Sequence, residues 1–186
     1  ISDFSMAIQI NPKYVDGYNN RGIVYRRKGE LDKAIADFTT ALRISPGYVK
    51  AYNNRAVAFS KNRQFDKAIA DCSTAIELKP DFAGAFSNRA QAYANTQEFD
   101  KAIADANEAI RISPDHPDYY NTRGIVLGGK REYDKAIGDF TVAIELAPLN
   151  PKWYANRGIT YRRKGDKVAA EADFAKVKEL GFEPEQ

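Results

Sequence analysis

The stretch VDGYNNRGIVYRRKGELDKAIADFTTALRISPGY, running from Val15 to Tyr48, decides the fold because the chain repeats it. Shifted forward by 34 residues, it recurs from Val49, Ala83, Pro117 and Pro151, and the period does not slip across five copies. A fixed period of this length marks a supersecondary unit that cannot hide its apolar face alone and buries it against the next copy.

Superposing the copies shows what recurs. Ala34, Ala68, Ala102, Ala136 and Ala170 share one column, and Ala41, Ala75, Ala109, Ala143 and Val177 another. Gly22, Ala56, Ala90, Gly124 and Gly158 form a third small column, so two helices can approach closely at three fixed points. Bulky apolar residues stand between them: Tyr25, Phe59, Tyr93, Leu127 and Tyr161, then Leu31, Phe65, Phe99 and Tyr133. Pro46, Pro80, Pro114 and Pro148 close four copies, and proline, lacking an N–H, belongs just past a helix end. This predicts two antiparallel helices per copy. Helix A spans about 15–28, 49–62, 83–96, 117–130 and 151–164, and helix B about 31–44, 65–78, 99–112, 133–146 and 167–180. Helix B carries apolar spacings of three and four, as in Leu31, Ala34, Ile35, Phe38, Ala41 and Leu42. Asp32, Asp66, Asp100 and Asp134 fall in its first turn, where the helix dipole favours an anion.

In the first full copy Tyr18, Gly22, Tyr25, Ala34, Phe38, Ala41 and Pro46 match the tetratricopeptide repeat pattern, and all five copies match in phase. The chain resembles a tetratricopeptide repeat protein. The resemblance implies an all-α fold, a right-handed superhelical α-solenoid of stacked helix-turn-helix repeats. It also implies a non-catalytic protein–protein interaction module, without cofactor, that takes a protein or peptide partner on the concave helix A face.

On this reading the chain is a single array over 1–186. Residues 1–14 are a half repeat holding helix B alone, at about 1–10, because Phe4, Ala7 and Pro12 fall in phase with Phe38, Ala41 and Pro46. Five full repeats follow at 15–48, 49–82, 83–116, 117–150 and 151–184. Ile1, Phe4, Ile8 and Ile10 are expected to lose half their cover. Either further repeats precede them, or a second copy of the chain covers residues 1–12 and makes a homo-oligomer. In the last repeat Glu171 replaces Ile35, Ile69, Ile103 and Ile137, and Lys178 replaces Leu42, Ile76, Ile110 and Ile144. That polar face predicts a C-terminal cap, with a frayed tail from Gly181 to Gln186.

Composition and single residues narrow the function classes. A net charge of +3 gives little drive toward nucleic acid, and no apolar run approaches the ~20 residues of a membrane helix, so neither is an expected partner. His116 is the single histidine and lies in a turn, and Cys72 takes the packing place of Phe38. A metal site needs several ligands, so neither predicts one. Trp153 reads as a packing residue. No nucleophile and base pair or glycine-rich phosphate loop is present, so no catalytic residue is assigned.

The informative polar residues are periodic. Arg21, Arg55, Arg89, Arg123 and Arg157 recur in helix A, and Asp37, Asp71, Asp105, Asp139 and Asp173 in helix B. They predict a structural ion-pair ladder, within a repeat or to the next. Before each arginine stand Asn20, Asn54, Asn88, Thr122 and Asn156, and before those Asn19, Asn53, Ser87, Asn121 and Ala155. An amide donates and accepts, so it can hold peptide backbone without reading side chains. The column resembles the asparagine ladder of the O-GlcNAc transferase tetratricopeptide superhelix, which holds an extended peptide. Ile23, Val57, Gln91, Ile125 and Ile159 are expected to form a strip beside it. Arg26 and Arg27, with Arg162 and Arg163, are expected to make both ends of the groove basic. Gly128 and Gly129 are expected to leave room for a ligand's bulk. The lysine-rich carboxylate clamp of chaperone co-factors fits poorly, because its first lysine and asparagine positions hold Asn19 and Ile23, or Asn53 and Val57.

Overall fold

A computed structural model describes residues 1–181. Among them the chain is all α, with eleven helices and no strand. In order they are α1 (Ser2–Ile10), α2 (Val15–Arg27), α3 (Leu31–Ile44), α4 (Val49–Lys61), α5 (Phe65–Leu78), α6 (Ala83–Asn95), α7 (Phe99–Ile112), α8 (Pro117–Gly129), α9 (Tyr133–Leu146), α10 (Pro151–Lys164) and α11 (Lys167–Glu179). The expected tail lies outside the described residues from 182 onward; Gly181 itself has φ 75°.

The helices fall into two compact units, Ile1–Thr96 and Gln97–Gln186, divided in the turn between α6 and α7. In the first, α2 forms a hairpin with α3 and α4 with α5, while α3 packs on α4 and α5 on α6. In the second, α8 pairs with α9 and α10 with α11, while α7 packs on α8 and α9 on α10. Each unit is thus a stack of helical hairpins of the α-solenoid class.

The turn inside a hairpin needs one left-handed residue. Gly29 (φ 80°) and Gly165 (φ 98°) supply it at ordinary cost, whereas Arg63, Gln97 and Arg131 adopt φ 58°, 64° and 65° at the same column. Such a conformation costs a residue with a Cβ about 1 kcal/mol. At four of these turns a backbone bond closes the helix end and offsets the strain: Glu30 N–H on Tyr25 O, Gln64 on Phe59, Glu132 on Leu127 and Asp166 on Tyr161, at 2.9–3.0 Å.

The small columns do the close packing. Ala34, Ala41, Ala68, Ala75, Ala102, Ala109, Ala136 and Ala143 are fully buried. Gly22 and Gly124 lie flat against Phe38 and Phe140, so close that an added Cβ would stand 2.7 Å from the ring in each case. In the second hairpin the helix A residue is Ala56, and Cys72, in the same core cluster and wholly buried, takes the place of the ring. One methyl on helix A is exchanged for most of a phenyl on helix B. Trp153 packs with Ala143 and Ile144 and is buried.

The apolar residues of α1 do not behave alike. Ile8 is buried, with its side chain against α2 at Gly17, while Met6 and Ile10 are 60% and 80% exposed. The expected loss of cover therefore falls on one face of α1. On α11, Glu171 and Lys178 are both exposed.

Gly22→Ala is expected to destabilise the first unit by about 1–2 kcal/mol. Overpacking against a buried ring costs about 1–3 kcal/mol and outweighs the ~1 kcal/mol gained in helix propensity. Gly22→Ala with Phe38→Cys copies the pair of the second hairpin and relieves this contact, but it trades most of a buried phenyl for one methyl and is expected to be less stable than Gly22→Ala, by about 2 kcal/mol or more. Urea midpoints of the three proteins check this.

Candidate peptide-binding face

Each helix A carries a guanidinium on one side and amides on another. Arg21 donates through Nε and Nη2 to both oxygens of Asp37, at 2.8 Å each. Arg55 does the same to Asp71 at 2.7 Å, Arg123 to Asp139 at 2.8 and 2.7 Å, and Arg157 to Asp173 at 2.9 and 2.8 Å. The acids are only 5–6% exposed. Hydrogen bonding to the carboxylate, opposed by burial, raises the guanidinium pKa of Arg21, Arg123 and Arg157.

A third bond was not read from the sequence. Nη1 reaches back to the preceding helix B: Arg21 to Ser5, Arg55 to Thr39, Arg89 to Ser73, Arg123 to Asn107 and Arg157 to Thr141, at 2.8–3.0 Å. The signal was present, since every member of that column is a hydroxyl or amide until Ala175 in α11. One arginine thereby ties its own hairpin together and ties it to the hairpin before.

The amides pair between repeats. Asn54 donates to Asn19 at 2.9 Å and Asn88 to Asn53 at 2.8 Å in the first unit; Asn156 donates to Asn121 at 2.7 Å in the second. Asn19 is 4% exposed and forms a floor, with a long 3.4 Å bond from its amide to Asn20 Oδ1. Each donating amide spends one N–H and keeps a second N–H and its carbonyl oxygen.

These residues line clefts in the first unit. One, of about 470 Å³, brings together Asn19, Asn20, Ile23, Asn53 and Asn54 with Asp16, Lys50, Tyr48 and Phe82. A second, of about 490 Å³, holds Val57, Asn88 and Gln91 with Ser60, Lys61 and Phe65. Tyr48, at the rim of the first, donates its hydroxyl to Asp16. Burial and that acceptor push its pKa up to about 12, so it remains a donor at neutral pH. Its place in an aromatic column with Tyr14 and Phe82 was the available sign. In the second unit Asn121, Asn156 and Ile159 are half-buried and Ile125 is exposed, on α8 and α10.

The basic residues separate. Arg27 and Arg163 are exposed. Arg26 is half-buried with Nε unpartnered, and burial, then neighbouring Arg27, lowers its pKa. Arg162 is exposed as well, with its guanidinium 5.7 Å from the centroid of the Phe174 ring in its own hairpin. Gly128 is buried, and a Cβ added there would meet only Thr160 Oγ1, at an ordinary 4.0 Å. Gly129 is exposed, but a Cβ there would meet the Phe99 ring at 2.9 Å, so of the two only Gly129 serves close approach.

His116 is exposed, stacked on Tyr119 at 4.4 Å with Nδ1 3.4 Å from Asp118. Among the described residues no three His, Cys, Asp or Glu side chains are grouped to hold a metal, and no helix is long and apolar enough to cross a membrane.

Hairpins of this period, with this small-residue packing, define a helical-repeat interaction scaffold. Tetratricopeptide repeat models match residues 15–48, 49–82, 83–116 and 121–181, and the chain belongs to the tetratricopeptide repeat family. Proteins of this fold bind protein or peptide partners. No curated protein sequence matches the chain. Among solved structures it is similar to a tetratricopeptide repeat protein from Parabacteroides merdae, with TM-score 0.81 and 23% identity, covering 98% of this chain and 72% of that one. It is also similar to TTC0263, a thermophilic tetratricopeptide repeat protein of Thermus thermophilus, with TM-score 0.83 and 21% identity over 89% and 91%. A third is YrrB, a tetratricopeptide repeat protein with an unusual peptide-binding site, with TM-score 0.64 and 19% identity over 95% and 91%. At these identities the likeness is one of fold.

Arg55→Ala strands the buried carboxylate of Asp71 and is expected to cost about 3 kcal/mol, the low end for a broken buried pair. Thr39→Val removes only the reach to the preceding helix and is expected to cost about 1 kcal/mol or less. Chemical denaturation separates the two.

Proposed function

We propose that the chain is a non-catalytic adaptor that holds an extended peptide along the helix A face, with the amide column gripping the peptide backbone. The observation that carries this is the first cleft, where Asn19, Asn20, Asn53 and Asn54 converge beside Ile23. The bonds between successive amides fix their orientation, and each donating amide keeps one donor and one acceptor for a ligand. A peptide backbone needs that pairing. The second cleft continues the same chemistry with Asn88, Gln91 and Val57. Asn121, Ile125, Asn156 and Ile159 repeat the column in the second unit.

The resemblance to the asparagine ladder of the O-GlcNAc transferase superhelix supports the reading, as does the peptide-binding site of YrrB, a protein of like fold. In this reading the repeats form one array, with residues 1–14 as a half repeat and the exposed Glu171 and Lys178 as its polar end. The Arg–Asp pairs are scaffold and leave the peptide backbone to the amides.

The test is the triple variant Asn20→Ala, Asn54→Ala, Asn88→Ala, titrated with peptides selected by display on the wild type. Three backbone contacts at about 1 kcal/mol each make a loss on the order of 100-fold the expected outcome. Unchanged affinity in a variant that still melts cooperatively removes the amides from the mechanism.

A second reading is self-association through α1. Its favouring observation is the exposure of Met6 and Ile10 on one helix. Light scattering across concentration is then expected to show a mass that rises, and that falls back to the monomer in Met6→Lys with Ile10→Lys. A monomer at every concentration ends this reading.

A further inference from the structure

In most repeats the arginine of the ladder lies between two aromatic rings. Arg21 is flanked by Tyr18 and Tyr25, Arg55 by Tyr52 and Phe59, Arg89 by Phe86 and Tyr93, and Arg157 by Tyr154 and Tyr161, all within 6.0 Å. Arg123 has Tyr120 at 5.8 Å on one side, and Leu127 stands where the second ring would be.

Leu127 does not fill the place of a ring. It turns inward, 6% exposed, and packs with Ala136, Phe140 and Ile103. The Arg123 side chain is 27% exposed, against 18–19% for Arg21, Arg55 and Arg157. A cleft of about 540 Å³ opens over it, lined by Ile103, Leu127, Arg123 and Lys135 among others. All of these residues lie in the second unit.

The other repeats show what fits there. Lys33 and Lys67 each hold Nζ 5.5 Å from the ring of Tyr25 and of Phe59. Lys33 is fixed in that pose by Glu30 at 2.6 Å, and Lys135 is fixed by Glu132 at the same 2.6 Å. Repeat four thus keeps both cations, one on each side, and lacks the ring between them. The remaining charges are already matched, Arg123 with Asp139, Lys130 with Asp100 and Lys135 with Glu132. A charged ligand would have to break one of these pairs. An uncharged ring would not, and it gains from both cations.

We propose that this cleft receives an aromatic side chain of a protein or peptide partner, which takes the position held by Tyr25 in the first repeat and completes the stack on Arg123. The surface is separate from the amide column. Arg123 is two positions from Asn121 and from Ile125, about 200° around α8.

The test is NMR titration of the whole chain with N-acetyl-L-tryptophanamide and, as control, N-acetyl-L-leucinamide. The aromatic amide is expected to bind at least five-fold tighter, shifting the methyls of Leu127 and Ile103 and the Nε–H of Arg123. Leu127→Tyr supplies the ring from within and is expected to abolish these shifts. Lys135→Ala alters an exposed side chain and is expected to weaken binding about three-fold. The triple asparagine variant is expected to bind the probe as the wild type does, which separates this site from the helix A face. Equal affinity for the two amides overturns the proposal, as does full binding in a folded Leu127→Tyr. Should that variant not fold, unchanged affinity in Lys135→Ala overturns it.

Discussion

A guanidinium withdrawn from water brings five N–H donors and a charge that must all be answered. In this chain the answer recurs: at Arg21, Arg55, Arg123 and Arg157 two donors take a buried aspartate and a third takes a hydroxyl or amide on the helix before. Aromatic rings flank the guanidinium on both sides, except at Arg123, which has one. Net stability is weak grounds for retaining such a group, because desolvation offsets most of the attraction. Register is a better one. Moving helix A by one residue along its partner displaces the fork from both carboxylate oxygens and from the rings together. The apolar stripes alone are more permissive, since small and large residues slide past one another at modest cost.

Packing adds a second constraint that acts through pairs of columns. A glycine on helix A goes with a phenylalanine on helix B at Gly22 and Phe38, at Gly124 and Phe140, and at Gly158 and Phe174. Ala56 goes with Cys72. Where helix A adds a methyl, helix B gives up the ring, so the crossing is filled differently in different repeats while its apolar pattern is kept, which is how cores tolerate substitution. The hairpin turn shows the same over-determination. Arg63 and Arg131 accept a left-handed backbone because the rest of the hairpin holds the turn closed.

The period, the small columns and the proline stops are local and repeated, so the helices could be placed from sequence to within a residue of Val15–Arg27 or Leu31–Ile44. What a column touches is a different kind of information. The arginine and aspartate columns were visible, and so was the polar column of Ser5, Thr39 and Ser73, but the bond between them was not, because it depends on the reach of a long side chain across a helix crossing. Asn20 and Asn54 read as a ligand face, yet the bond from Asn54 to Asn19 needs the offset of one repeat on the next. Gly128 and Gly129 read as open space, yet at Gly129 the Phe99 ring stands where a side chain would begin, since a missing side chain in sequence says nothing of what crosses it. The division between Thr96 and Gln97 left no mark in the repeat pattern, which runs through it unchanged.

The two polar columns differ in how much bonding they leave over, and that difference bears on where a partner is held. The arginine column is close to saturated: its acids are 5–6% exposed and its cations are stacked. A ligand there would compete with bonds already made. The amide column is satisfied halfway, one N–H spent on the neighbour and the rest facing a cleft. Half-satisfaction is stable only because water can reach what is left, and water is what a peptide backbone displaces without loss when it offers the same bonds. On the proposed reading the scaffold keeps its strongest polar interactions where they set register and its exchangeable ones where a peptide would enter. The place where the arginine column is not closed, at Leu127, is by the same reasoning the place where that column has something to offer.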